Sequence, residues 1–253
     1  MKQIADFVLV GKERLGNAVL LRLRGEQPLP EVAPGQFVQV RVDDSPLTYL
    51  RRPISIHDVD GRQNEILLLV QMVGEGTRHL GNTQVGDRIN LVFPLGNGYT
   101  LPEKDERVLL VGGGIGVAPL YNLGKCTLAK GANPTFLLGG KKASDLVRLD
   151  AFRSVGEVLV TTEDGSMGEQ GMVTMHSVWN GRQFDKIYVC GPKPMMKAVA
   201  DIAKKKNVWC EVSLEHLMAC GLGACLCCVE DTVDGNLCVC KEGPVFNTRR
   251  LKW

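Results

Sequence analysis

Four cysteines near the C-terminal end carry the sharpest chemical signal. Cys220, Cys225 and Cys228 follow a C-x4-C-x2-C spacing, and Cys240 follows after eleven intervening residues. Two irons bridged by two sulfides need four thiolates, and this spacing with a distant fourth cysteine is that of plant-type 2Fe–2S proteins. Gly221, Gly223 and Ala224 lie between the first two cysteines, where small residues let backbone N–H groups approach sulfur. A four-thiolate zinc site is the competing reading, although zinc knuckles more often pair two short C-x2-C units. Cys227 and Cys238 lie within two residues of these positions, so spacing alone leaves a swap open.

A second group of residues suits a flavin dinucleotide. In Arg51-Arg52-Pro53-Ile54-Ser55 an arginine can grip a pyrophosphate through two parallel hydrogen bonds, and a serine hydroxyl can reach a ring edge. About twenty residues on, Gly74-Glu75-Gly76-Thr77 places glycine-rich backbone at a helix entry, where N–H groups face an anion. Each piece alone is weak, since a solvated arginine pair or an ordinary turn would look the same.

A third group suits a nicotinamide dinucleotide. Gly112, Gly113, Gly114 and Gly116 follow the apolar run Val108–Val111 and precede a helical pattern, as a phosphate loop must. Val117 stands where the third glycine of G-x-G-x-x-G would be. Cys190, Gly191 and Pro192 end a later apolar run in the same manner. In doubly wound sheets ligands gather at the carboxyl ends of strands, so the two turns are expected to line one crevice. Met195 and Met196 read as core.

The elements that must position these residues fall into three regions. Through position 101, short apolar runs (Ile4–Val10, Ala18–Leu23, Phe37–Val42, Ile66–Met72, Ile89–Phe93) alternate with turn signals, which argues for an antiparallel barrel or sandwich. Residues 102–210 alternate strand-like and helix-like segments, the pattern of a parallel doubly wound sheet. The first helix is expected to bury Leu120, Leu123 and Leu128 and to stop at Gly131; the later one shows Met195, Val199 and Ile202 at helical spacing. Residues 211–253 carry the cysteines and little periodicity. The expected fold is therefore a β-barrel domain, an α/β domain and a small iron–sulfur subdomain.

Composition excludes several classes. Of 253 residues 44% are hydrophobic and 23% charged, unlike a disordered or fibrous chain, and a net charge of +2 gives no field that argues for nucleic acid. No apolar run approaches the roughly 18–20 residues of a membrane span, and the first residues lack a secretory pattern. Nine cysteines, seven of them between Cys210 and Cys240, form a local cluster rather than a framework of disulfides. A cytoplasmic protein with no nucleic-acid or membrane partner is the expectation.

In this order the motifs resemble the ferredoxin–NADP reductase superfamily. Arg52, Pro53, Ile54 and Ser55 match its R-P-x-S strand, and Gly74, Gly76 and Thr77 its G-x-G-T turn. The resemblance implies that both hold FAD, with Leu69, Val70 and Gln71 lining the flavin and Tyr99 one candidate to flank it. The G-G-G-x-G-x-x-P and C-G-P-x-P-M segments match its nicotinamide motifs. Leu214-Glu215, Met218–Cys225, Cys228 and Cys240–Phe246 narrow the likeness to electron-transfer subunits of class B dihydroorotate dehydrogenases, and it then covers essentially the whole chain. That family's pattern places the ligands at Cys220, Cys225, Cys228 and Cys240 and makes Cys227 and Cys238 bystanders.

The resemblance implies a relay in which electrons from a partner subunit's FMN, where dihydroorotate is oxidised in pyrimidine biosynthesis, cross the 2Fe–2S cluster to FAD and leave as hydride to NAD. It implies two copies of each subunit, with an apolar surface near the cysteine loops meeting the partner, and no catalytic acid or base in this chain. Small subunits of other flavin and iron–sulfur complexes, such as NADH-dependent ferredoxin–NADP oxidoreductases, look similar. Gly139-Gly140-Lys141-Lys142 follows the second strand of the nucleotide domain where an acidic residue commonly selects NAD. These lysines either favour a 2′-phosphate, and so NADP, or are merely solvated.

Overall fold

The computed structural model describes residues 2–253. Strands β1 (Gln3–Leu15), β2 (Ala18–Gly25), β3 (Phe37–Val40), β4 (Arg52–Asp60), β5 (Glu65–Gln71) and β6 (Arg88–Leu95) close into an antiparallel barrel in the order β1-β2-β5-β4-β3-β6. Period-two alternation makes this possible: Val19, Leu21 and Leu23 of β2, Val38 and Val40 of β3, and Ile66, Leu68 and Val70 of β5 all point into one apolar interior. Helix α1 (Glu75–Asn82) interrupts the strands after β5.

Beyond the barrel come β7 (Arg107–Gly113), α2 (Leu120–Ala129), β8 (Asn133–Gly140), α3 (Leu149–Arg153), β9 (Glu157–Thr162), β10 (Glu169–Gln170), α4 (Val178–Gly181), β11 (Lys186–Cys190), α5 (Lys193–Lys205) and β12 (Trp209–Ser213). The sheet runs β10-β9-β8-β7-β11-β12, parallel throughout. Its strands are apolar on both faces, as a sheet covered on both sides requires. Val108 and Leu110 pack with α2 and Phe152, whereas Leu109 and Val111 pack with Met196 and Val199 of α5.

Two helical faces differ from expectation. Leu128 is 52% exposed, and Thr127 takes the buried position below Leu123. Helix α5 buries Met196, Val199, Ala200 and Ala203, leaving Ile202 at the margin. In both helices a small or weakly polar residue faces inward in place of a bulkier neighbour. Gly131, at φ +79°, ends the α2 segment as expected.

The last forty residues hold β13 (Val229–Thr232) and β14 (Gly235–Cys238), paired as a hairpin, then α6 (Val239–Glu242) and β15 (Val245–Asn247). Strand β15 returns to the parallel sheet and pairs antiparallel with β12, matching Ser213 to Val245 and Glu211 to Asn247. The cysteine segment is therefore anchored in the nucleotide sheet at both ends. It also grips the barrel, for the Asn97 N–H donates to the Gly243 carbonyl at 2.6 Å and its side-chain amide reaches the Glu242 carbonyl at 3.0 Å.

Aromatic and polar contacts seal the barrel against the sheet. Tyr99 is 5% exposed, meets Tyr188 edge to face, and donates its hydroxyl to the Val189 carbonyl at 3.2 Å. It is packed into this junction instead of flanking an open groove. Thr100 donates from both backbone and hydroxyl to Glu211. On the other side His57 is wholly buried, stacked on Tyr121, with its Nδ1–H donating to the Ala118 carbonyl at 2.7 Å. Burial pushes its ring down to about 4, so it stays neutral where an imidazolium would be stranded. No helix among the described residues is long and apolar enough to cross a membrane.

Candidate functional site

The two glycine turns of the nucleotide domain touch. A Cβ on Gly116 would stand 2.5 Å from the Cys190 carbonyl oxygen and 2.6 Å from the Gly191 Cα. One on Gly113 would stand 2.5 Å from Met195 Sδ and 3.0 Å from Pro192. Gly114 adopts φ +55°, in the left-handed region that favours glycine. The crevice expected between these turns is thus present, and it opens into a cleft of about 590 Å³. Gly113, Gly114 and Pro192 line it, as does Met195, which the sequence placed in the core and which is half-buried here. Gly112 lies deeper, against Val117 and Leu120. Cys190 is 1% exposed and does not line the cleft; burial, and then the Glu215 carboxylate, push its thiol far above the usual range, so it is a neutral buried group.

The cleft reaches the barrel through Asn17, Ala18 and Gln71. Gln71 ends β5 with its side chain toward the nucleotide domain. Leu69 packs on the same outer face, while Val70 points into the barrel interior. Of these three expected flavin-lining residues, Val70 therefore offers only its backbone. Its neighbour strand β4 divides likewise, with Ile54 toward the interior and Pro53 and Ser55 on the other face.

The arginine pair splits by role. Arg51 donates to the Gln39 and Asn90 carbonyls and, at 2.6 Å, to Asn90 Oδ1, pinning β3 to β6. Arg52 bonds only the Leu50 and Arg51 carbonyls through Nη1, leaving most of its donors available. It faces Gly76, where a Cβ would come 2.9 Å from Thr48 Cγ2 and 3.0 Å from Arg52 Nε. The Thr77 hydroxyl accepts from the Val73 and Gly74 N–H groups and shapes the turn itself. An arginine fork above glycine backbone at a helix entry is a cradle of the right chemistry for a pyrophosphate.

In the cysteine loop Cys228 and Cys240 are buried, Cys220 is half-buried and Cys225 is exposed. Backbone N–H groups converge on them: Leu222 on Cys220 at 3.3 Å, Gly223 on Cys240 at 3.1 Å, and Cys240 on Cys228 at 3.4 Å. Gly221 and Gly223, at φ +69° and +85°, make this wrapping possible. Burial opposes ionisation of Cys220, but the N–H groups of Leu222, Cys225 and Ala224 outweigh it and bring the thiol down to about 6. Cys227 and Cys238 turn instead toward the Leu217 and Gly223 carbonyls. Sulfurs held within a net of backbone N–H donors suit an iron–sulfur cluster, whose charge such bonds stabilise.

Known proteins agree with this chemistry. Residues 215–252 match the model for the iron–sulfur cluster binding domain of dihydroorotate dehydrogenase B. The electron transfer subunit of dihydroorotate dehydrogenase B (NAD(+)) from Shouchella clausii is 40% identical over 232 residues, covering 89% of each chain. Its counterpart from Caldanaerobacter subterraneus is 43% identical, over 88% of this chain and 87% of that one. The chain belongs to the family of dihydroorotate dehydrogenase B electron transfer subunits.

Among solved structures, one of an NADH-dependent reduced ferredoxin–NADP oxidoreductase superposes with a TM-score of 0.88 over 98% of this chain and 90% of that one, at 31% identity. A ferredoxin reductase of carbazole 1,9a-dioxygenase shares the fold at a TM-score of 0.69 and 19% identity, covering 82% of this chain and 67% of that one. The family's cofactors are FAD, a 2Fe–2S cluster and NAD, and the three cradles above fit them in turn.

Sequence reasoning missed the far wall of the nucleotide cleft. Asp145, Thr161, Glu163 and Val173 line it together with Lys141. The backbone N–H groups of Lys141 and Lys142 donate to Asp145 Oδ2 at 3.1 and 3.3 Å. Acidic side chains thus line this wall from the turn after β8 and from the residue just after β9. The rule that ligands lie at the carboxyl ends of parallel strands would have pointed to Thr161–Glu163.

Proposed function

We propose that this chain carries electrons between a dihydroorotate-oxidising partner and NAD, and that the residues above divide the work by region. Residues 1–101 would hold FAD, with Arg52, Gly76 and the turn shaped by Thr77 at its pyrophosphate, and Pro53, Ile54, Ser55, Leu69, Val70 and Gln71 along the flavin. Residues 102–210 would hold NAD, with Gly112, Gly113, Gly114 and Gly116 facing Cys190, Gly191 and Pro192. Residues 211–253 would hold the cluster on Cys220, Cys225, Cys228 and Cys240. The backbone N–H groups of Leu222, Gly223 and Cys240, directed at the sulfurs of Cys220, Cys240 and Cys228, are the observation that carries this reading.

When bound, a flavin and a nicotinamide handle electron pairs and a two-iron cluster single electrons, so together they connect one two-electron site to another. The protein's own residues bind and orient. Met195 and the Gly113 backbone close one side of the nucleotide cleft, while Ala18 and Gln71 bring the barrel to its mouth. No side chain is assigned as catalytic acid or base: the buried Cys190 thiol and the neutral His57 ring are both satisfied or sealed away from the cleft mouth.

The family name implies a catalytic subunit as partner. We assign it an FMN and a complex of two copies of each chain, meeting this subunit around the cysteine loop. Leu217, Leu222 and Leu226 are 87%, 48% and 65% exposed there, an apolar cluster that a partner would cover. A Leu226→Asp protein is expected to keep its flavin and cluster absorbance but to bind the catalytic subunit at least about tenfold more weakly; equal affinity in a titration calorimeter would place the interface elsewhere.

The reading as a whole is tested on anaerobically purified protein. It should be yellow-brown, contain iron and acid-labile sulfide, bleach on adding NADH, and reduce NAD from dihydroorotate only with the partner. Stoichiometric zinc without sulfide would overturn it. Arg52→Ala is expected to weaken FAD binding by about 1.5–3 kcal/mol, the range for a hydrogen bond to a charged group, with iron content unchanged. Flavin release on dilution, followed by fluorescence, measures it, and full retention of FAD would move the pyrophosphate away from this strand.

A further inference from the structure

Gln39 is a polar residue that the preceding reading leaves without a task. Alternation along β3 sends Val38 and Val40 into the barrel and puts Phe37 and Gln39 on its outer face. An outward glutamine is normally wet, yet Gln39 is 0% exposed. What covers it is the cysteine loop. A Cβ on Gly221, the residue after Cys220, would come 2.7 Å from Gln39 Cγ and 3.1 Å from its Nε2. Phe37, beside it on β3, packs in the same cluster as Met218, Cys228 and Cys240.

The Gln39 carboxamide has no hydrogen-bond partner at either Oε1 or Nε2. Its backbone is otherwise engaged: it pairs across β3 and β4 with Pro53, and its carbonyl accepts from Arg51. A sealed amide with both ends unmet is costly in a native interior and calls for a group that would satisfy it. It lies between the strand proposed to hold the flavin and the loop proposed to hold the cluster. Sulfur ligands and sulfides accept N–H bonds, and such bonds raise a cluster's reduction potential by stabilising the added negative charge.

We propose that the Gln39 side-chain amide donates to a sulfur of the cluster held by the Cys220–Cys225 loop, and so sets that cluster's potential against the flavin. The inference rests on the cluster assignment above. Gln39 is a positioning and tuning residue and takes no part in bond making. The glycine at 221 follows from the same contact, because any side chain there would displace the amide.

The test is a redox titration of Gln39→Met and wild-type holoprotein, with the reduced cluster read by electron paramagnetic resonance. Methionine keeps the volume and loses the donor. At the potential where the wild-type cluster is half reduced, the reduced-to-oxidised ratio should fall about tenfold, or about 59 mV for a one-electron couple. Gln39→Leu, which also removes the donor, should shift it in the same direction, and it carries the test if the methionine variant fails to assemble a cluster. The metal-free Gln39→Met chain should melt no lower than wild type, since it loses an unmet amide and not a structural bond. An unchanged potential with full iron content would refute the role of Gln39 while leaving the cluster assignment intact. Loss of FAD from Gln39→Met at normal iron content would give the amide to the flavin instead. A wild-type protein lacking the resonance altogether would fail the cluster reading itself.

Discussion

A Cys225→Ser protein is expected to lose the electron paramagnetic resonance of its reduced cluster while keeping its flavin spectrum. Dihydroorotate-dependent reduction of NAD by the assembled complex should fall by more than the roughly 10–100-fold that loss of an outer-shell partner costs a metal site. Oxidation of NADH by an artificial acceptor should stay within about twofold of wild type, because that route ends at the flavin. The contrast comes from geometry. Cys225 is exposed in the cysteine loop, far in sequence from the arginine strand and the G-x-G-T turn. Cys227→Ser is the control: its sulfur turns to the Leu217 carbonyl, and the variant should keep both signals. A Cys225→Ser protein that retained the resonance would reassign the ligands.

The second large effect is expected at Gly116. A valine there has no room, because its Cβ would lie 2.5 Å from the Cys190 carbonyl oxygen and 2.6 Å from the Gly191 Cα, and backbone cannot swing aside as a side-chain tip can. The two turns must separate. Overpacking of this kind costs about 1–3 kcal/mol of stability. Displacement of the turns by an ångström should lower kcat/KM for NADH about 10–100-fold with the artificial acceptor. Flavin and cluster absorbance should persist, since neither cradle touches this contact. Steady-state kinetics with NADH checks it, and an unchanged KM would mean that the nucleotide does not use this crevice.

The barrel and the parallel sheet were legible because their signals are local. Short apolar runs such as Val19-Leu20-Leu21 and Ile66–Val70, bounded by turn signals, name strands, and strand-to-helix glycines point to a nucleotide loop before any contact is known. Side-chain assignments within those elements were less visible. Nothing in Arg51-Arg52 says which guanidinium will find Asn90 across the barrel and which will stay available above Gly76. Leu128 looks more apolar than Thr127, yet in the folded chain Leu128 is exposed and the threonine is buried. Gln39 left no trace at all, since a polar residue at an outward strand position reads as solvated until a distant loop is known to cover it. The cysteine spacing shows the opposite limit: sequence separation suggests a candidate ligand set, but where its sulfurs sit depends on where Cys240 returns after the β13–β14 hairpin.

That return has a consequence for how the chain could be cut. Strand β15 closes the cysteine segment by lying along β12, and Asn97 of the barrel clasps the stretch just before it. The segment is therefore no transplantable cassette. Grafted onto another scaffold it would arrive without the edge that receives its final strand, and a stop codon placed before Val245 would leave β12 with a raw, unpaired flank prone to recruiting other chains.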